Sequence, residues 1–231
     1  MRLRILVTGS AGLIGRPLCA ALRGRGVEVA RLDLHEDGAG RGDLCDPKAL
    51  SAALVGVGGI VHLAAVSRVI EAEQDPARCA ATNVDGLQRL IDQSLSSPRR
   101  PWLLFASSRE VYGHPARLPV HEQAPSDLTH TDDVVRGILA LIDRLDTGEP
   151  PPPPIQLVSG RAVRLDELAR LAIALSPRAA TLRAAPPRDF DVSCFVGDPD
   201  RAQRLLGWSA QVDLRAGLSH LIRAFGAGDP P

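Results

Sequence analysis

The apolar run of residues 2–8, RLRILVT, predicts a buried strand. GSAGLIG interrupts it with glycines, and RPLCAALRGRG then carries apolar residues at helical spacing until it stops at glycine. VEVARLD, Val27 to Asp33, predicts a second strand, and DPKALSAAL a short helix with Asp46 as cap and Pro47 at its first position. GIVHLAA predicts a further strand. With RGDL counted as a strand too, WLLFASS enters as the fifth, after one longer helix over about 76–95. Beyond Pro125, DLTHTDDVVRGILALIDRL places Val134, Val135, Ile138, Leu141, Ile142 and Leu145 on one face of an amphipathic helix.

Five prolines, Pro150 to Pro154, predict a stiff connector before a strand at IQLVS. VRLDELARLAIAL predicts a helix and TLRAAPPRDFDVS an extended stretch. DPDRAQRLLGW predicts a helix with Asp198 as cap, Pro199 at its first position and Gly207 as stop, and a last helix covers about 214–225. Strands alternating with helices imply an α/β fold, a doubly wound parallel sheet with helices on both faces. The division expected is a cofactor domain over 1–148 and a reduced C-terminal lobe over 149–231, packed on the same core and entered through the proline connector at 150–154.

Composition narrows the function. The 231 residues hold 27 basic and 27 acidic side chains, a formal net charge of zero, so neither a nucleic-acid footprint nor a membrane-surface field is expected. Nowhere do apolar residues run for the about eighteen positions a spanning helix needs, and the first apolar run has no small-residue cleavage site. Four cysteines, Cys19, Cys45, Cys79 and Cys194, are widely spaced without a C-x-x-C, which argues against zinc and against a disulfide framework. A cytoplasmic protein with reduced thiols and no metal is expected.

The candidate chemistry starts at Gly9, Gly12 and Gly15, a G-x-x-G-x-x-G between a strand and a helix. The first glycine permits the tight turn, the second lets the backbone approach a pyrophosphate, and the third lets helix pack on strand, while the helix N-terminus attracts phosphate. Asp33 closes the second strand about twenty residues on, where a carboxylate accepts hydrogen bonds from an adenosine ribose. The same carboxylate would repel a 2′-phosphate. NAD is therefore expected over NADP, with Arg31 and Arg41 nearby as the opposing feature.

With these residues in view, the chain resembles the NAD-dependent epimerase/dehydratase family of nucleotide sugars, the extended short-chain dehydrogenase/reductases. LVTGSAGLIG looks like that family's opening signature, and GDLCD is similar to its adenine-contacting pair, here Asp43 and Leu44. HLAA, His62 to Ala65, matches the strand end along the cofactor, and NVDGLQRLI matches an Asn-Val-x-Gly helix through Asn83. The likeness resumes at THTDDVVRGI, continues through QLVSGRAVRLDELARL and ends with VGDPDRAQRLLGW. It implies a Rossmann-like fold and NAD held by Gly9, Ala11, Gly12, Leu13, Ile14, Gly15, Asp33, Leu34, Asp43, Leu44, Leu63, Ala64, Ala65, Asn83 and Ala106. It also implies a nucleotide sugar held by Ser107, Ser108 and Arg188. Arg188 resembles an arginine that contacts the diphosphate, and Ser126 stands where its partner belongs.

In that family a serine or threonine polarises the sugar, and a tyrosine made acidic by a lysine four residues later removes the hydroxyl proton during hydride transfer. Ser108, in FASSREVYGHP, aligns with the serine. No Tyr-x-x-x-Lys exists: the only tyrosine is Tyr112 and the only lysine is Lys48. The likeness breaks after HEQAP and restarts at DLTHTDD, which places a lost internal block near 125–127. Its loss would remove the catalytic helix, the strand after it, much of the sugar lobe and a helix the family uses for dimerisation. What remains as candidate chemistry is Ser108, Glu110 and Tyr112. SSREVYG resembles the dehydratase variant, in which two acids follow the serine or threonine; Arg109 replaces the first and Glu110 matches the second. The bland alternatives are that Glu110 pairs with Arg109, that Tyr112 shapes its turn, that His62 packs at its strand end, and that His130 with Asp132 and Asp133 caps a helix.

Three readings follow: a working enzyme with a reduced site, a catalytically silent NAD-binding partner or regulatory subunit, and a homodimer or hetero-oligomer in which another chain supplies the missing lobe.

Overall fold

The computed structural model describes residues 3–112, 125–183 and 195–226. Arg188, His114, Cys194 and residues 184–193 of the stretch expected to be extended lie outside the described residues. The chain divides into two compact units, Met1–Ala106 with Ile142–Glu149, and Ser107–Leu141 with Pro150–Pro231. The first unit is left at Ser107 and re-entered at Ile142.

In the first unit, strands β1 (Arg4–Thr8), β2 (Glu28–Leu32), β3 (Gly59–His62) and β4 (Trp102–Phe105) form a parallel sheet in the order β2-β1-β3-β4. Register runs from Arg4 opposite Glu28 and Ile5 opposite Gly59, and from Gly59 opposite Trp102. All of Ile5 to Thr8 and of Gly59 to His62 is buried, as expected of strands covered on both faces. Alternate residues serve opposite faces. Leu6, Ala30, Leu32 and Ile60 join Leu50 of helix α2 (Pro47–Ala53) and Leu90 of helix α5 (Leu87–Ser96) in one core, while helix α1 (Gly15–Gly24) packs on β1 and β2 with Leu18, Cys19 and Leu22 buried. The result is a Rossmann-like α/β sheet.

Asp46 caps α2 as the sequence suggests, its Oδ1 accepting the Lys48 N–H at 2.9 Å. RGDL, in contrast, is no strand. Arg41 makes only an isolated bridge with Asp33, and Asp43 uses its Oδ1 to accept the Cys45 N–H at 2.8 Å, so these residues are spent on the turn into α2. WLLFASS thus supplies the fourth strand, β4. The single helix expected over 76–95 is also divided. An unanticipated helix α3 (Val69–Gln74) comes first, then α4 (Pro76–Ala80), a π-helical turn (Ala81–Gly86) and α5. The turn is where Asn83 reaches back to the backbone of Val66, accepting its N–H at 2.8 Å and donating to its carbonyl at 3.1 Å.

The second unit holds an antiparallel pair, β5 (Pro125–Asp127) with β6 (Ala162–Arg164), and helix α7 (Leu165–Leu175) follows directly. IQLVS is not a strand. Asp127 accepts the N–H groups of Ser159 at 2.9 Å and Gly160 at 2.8 Å, and Gln156 accepts the Asp198 N–H at 2.9 Å. Side chains therefore hold the segment and its polar groups where a ladder would otherwise do so. Helix α8 (Asp200–Leu206) begins one residue later than expected, with the Asp198 carboxylate accepting the Asp200 N–H, and it stops at Gly207 with φ of 61°. Helix α9 (Leu214–Gly226) closes the described chain and packs on α7. No helix among the described residues is long and apolar enough to cross a membrane.

Helix α6 (Thr131–Asp146) is amphipathic as its spacing requires, with Val135, Ile138, Leu139 and Ile142 buried. His130 caps it through the Asp132 N–H, 3.2 Å from Nδ1. Asp133 does something the capping expectation missed. Wholly buried, it pairs with Arg136 and accepts the backbone N–H groups of Gln211 at 3.1 Å and Val212 at 2.9 Å, while its carbonyl takes the Trp208 indole N–H at 2.8 Å. Burial works to raise its pKa, but the bonds from Arg136, Val212 and Gln211 hold it below the usual carboxylate value. Asp133→Ala, which strips these donors of their acceptor, should destabilise the fold by about 2–4 kcal/mol in urea unfolding followed by tryptophan fluorescence.

Candidate functional site: a dinucleotide cradle

The glycine turn between β1 and α1 is tight enough to fix residue identity. Gly9 sits at φ 71°, and a Cβ there would lie 2.7 Å from the Ala64 nitrogen; at Gly15 it would lie 2.1 Å from the Gly9 carbonyl oxygen. The backbone is thus drawn under the start of α1 and against the end of β3. Gly9 donates its N–H to the Leu32 carbonyl at 2.9 Å, which joins the turn to the end of β2.

Asp33 follows β2 directly. Its Oδ2 accepts the Ala11 N–H at 3.1 Å and its Oδ1 the His35 N–H at 2.8 Å, so the carboxylate is fixed at the rim of the turn. Leu13 and Leu34 are exposed, whereas Leu44 is buried in the core. Asn83 fixes the segment after β3 that carries Leu63, Ala64 and Ala65. Every residue expected to hold the cofactor, from Gly9 to Ala106, belongs to the first unit.

At the end of β3, His62 is buried, its Nδ1 2.7 Å from Thr8 Oγ1 and its ring stacked on Phe105 at 5.8 Å. Thr8 Oγ1 also accepts the Ala64 N–H at 3.3 Å, which ties β1 to the strand end along the cradle. Burial pushes the imidazole down to about 4. The packing role expected for His62 is the one it has.

Ser107, Ser108, Glu110 and Tyr112 belong to the second unit. Ser108 opens a short 3₁₀ turn, Arg109–Tyr112, and its Oγ accepts the Glu110 N–H at 3.3 Å. The Glu110 carboxylate pairs with Arg109 at 3.4 Å. Two interactions escaped the sequence reading. Ser10 Oγ donates to Glu36 Oε1 at 2.8 Å, and Glu36 pairs with Arg31. No local motif announces this link, because Ser10 and Glu36 are 26 positions apart.

A glycine turn closed by the N-terminus of a helix, with an acid at the end of the next strand, is the arrangement of the Rossmann class of folds. The NAD dependent epimerase/dehydratase family matches residues 5–127, more than half of the 231, and the chain belongs to that family. It is 29% identical over 160 residues to the UDP-glucose 4-epimerase of Lactobacillus helveticus, covering 62% of this chain and 48% of that protein. It is 35% identical over 126 residues to a probable dTDP-4,6-dihydroxy-2-methyloxan-3-one 4-ketoreductase of Streptomyces antibioticus, covering 54% and 41%. The chain thus spans half or less of these relatives. Its fold matches that of MoeE5 in complex with UDP-glucuronic acid and NAD, with a TM-score of 0.84 at 21% identity over 97% of this chain and 99% of that one.

Two expectations test the cradle. Gly15→Ala forces a side chain onto the Gly9 carbonyl and should lower stability by about 1–3 kcal/mol in urea unfolding, with loss of NADH binding by nicotinamide fluorescence. His62 bears on pH. The unfolded imidazole takes its proton at about 6.5 and the folded one only at about 4, so the unfolded state binds more protons between these values. Stability should fall by about 3 kcal/mol as pH drops through this window, and His62→Asn should flatten that slope in melts taken from pH 4 to 7.

Proposed function

We propose that this chain binds NAD in preference to NADP and acts on, or descends from proteins that act on, a nucleoside-diphosphate sugar with impaired or altered catalysis. The observation that carries the reading is a glycine turn fixed against the end of β3 with Asp33 held at its rim, in a chain with no Tyr-x-x-x-Lys. NAD would lie with its pyrophosphate over the turn at Gly9, Gly12 and Gly15 and its adenosine ribose on Asp33. Asp43, Leu44, Leu63, Ala64, Ala65, Asn83 and Ala106 would complete its surroundings. When bound it supplies a hydride acceptor.

The proton has fewer places to go. Lys48 stands in the first turn of α2, outside any tyrosine motif, so no cation four residues away acidifies Tyr112. Ser108 would offer a hydroxyl to the sugar and Glu110 a carboxylate to take its proton. The UDP-sugar epimerases among the relatives and the UDP-glucuronic acid bound by MoeE5 support a nucleotide sugar as ligand; by the family resemblance Arg188 would contact its diphosphate.

The second reading is a silent NAD-binding partner or regulatory subunit. It is favoured by the engagement of the Ser108 hydroxyl and the Glu110 carboxylate within their own turn. A homodimer, or a second chain supplying the missing lobe, would fit either reading.

One assay separates these readings. Pure protein, NAD and a panel of UDP-, dTDP- and GDP-sugars are followed by absorbance of reduced nicotinamide and by chromatography of the sugars. We expect NAD to bind and turnover to lie well below the about 10 per second usual for enzymes, with Ser108→Ala removing it by about a hundredfold. Turnover at the usual rate would overturn the impaired reading, and failure to bind NAD would overturn the cofactor reading.

A further inference from the structure

Two arginines stand close to Asp33 in the sequence. A free guanidinium there would offer a 2′-phosphate the cation that Asp33 denies it. Arg31, on β2, is the one whose engagement is visible. Its side chain is about one-third exposed and is ion-paired with Glu36, whose own side chain is only 11% exposed.

Glu36 is held from its other side as well. Oε1 accepts the Ser10 hydroxyl at 2.8 Å, and Ser10, 1% exposed, lies inside the glycine turn. Gly40 closes on the arginine stem, since a Cβ there would stand 3.3 Å from Arg31 Cβ and 3.6 Å from Cζ. Neighbouring residues of one turn therefore hold two acids, Ser10 through its hydroxyl to Glu36 and Ala11 through its N–H to Asp33.

Resting on the cofactor reading above, we infer that Glu36 is a second determinant of cofactor choice, acting through Arg31. Asp33 repels a 2′-phosphate directly; Glu36 engages Arg31, one of the two nearby cations that would compensate. A phosphate approaching Arg31 must displace a nearly buried carboxylate, which would lose its charge partner as a second anion arrives. The ribose 2′-hydroxyl of NAD makes no such demand. Glu36 is a positioning residue here, since it need touch no part of the cofactor.

The test is equilibrium binding of NADH and of NADPH to the full chain by nicotinamide fluorescence, with a thermal melt of each variant. In Glu36→Gln the ratio of NADPH to NADH affinity should rise about tenfold or more, and adding Arg31→Ala should return it to the wild-type value. Ser10→Ala, which loosens Glu36 without removing it, should move the ratio the same way by about threefold and gives a reading even where Glu36→Gln fails to fold. A ratio unmoved in folded Glu36→Gln or folded Ser10→Ala overturns the inference, as does a gain that survives Arg31→Ala. A folded wild-type chain that binds neither nucleotide overturns the cofactor reading itself, a result distinct from an unmoved ratio.

Discussion

The position of the Gly9 carbonyl constrains much of the first unit. It stands 2.1 Å from where a side chain at residue 15 would begin, so the chain turns from β1 into α1 only with hydrogen at both positions. That closeness brings the start of α1 over the C-terminal edge of the sheet, the position at which a helix N-terminus favours an anion. The same turn reaches Leu32, Asp33 and Glu36 through hydrogen bonds from Gly9, Ala11 and Ser10. One backbone constraint thus organises the turn and the carboxylates held around it.

The second unit is organised differently, around carboxylates in place of a glycine turn. Asp127 gathers N–H groups from Ser159 and Gly160, and Asp133 does so from Gln211 and Val212, with Arg136 balancing its charge. Among the described residues this unit has a single two-stranded pair, β5 with β6, and so little ladder to satisfy its backbone. Aspartates serve as acceptors for donors that a larger sheet would have absorbed.

Binding and chemistry depend on different kinds of feature. The glycine turn and Asp33, on which the proposed cofactor contact rests, are backbone geometry and one carboxylate, all in the first unit. In the mechanism implied by the family resemblance, proton transfer depends on a phenol beside a cation at fixed spacing, and the one lysine, Lys48, and the one tyrosine, Tyr112, do not have that spacing. Ser108 and Glu110 keep their residue types yet satisfy each other's neighbours within a single turn.

What the sequence determined by itself was the part governed by local periodicity and local sterics. Continuous apolar runs became β1 and β3, Asp46 and Pro47 started α2, and the three glycines with Asp33 announced the dinucleotide turn. Tertiary structure decided whatever depended on which distant group claimed a polar atom. IQLVS reads as a strand but is held through Asp127 and, from Gln156, by Asp198, whereas RGDL is turned by its own Asp43, a local bond that the apolar pattern does not record. The helix near 83 is divided where Asn83 holds the backbone of Val66. Glu36, silent in any motif, gains its meaning only when folding sets Ser10 and Arg31 on either side of it. Periodicity records which face of a segment is apolar. It carries no record of hydrogen-bond partners far along the chain, and those partners complete the site.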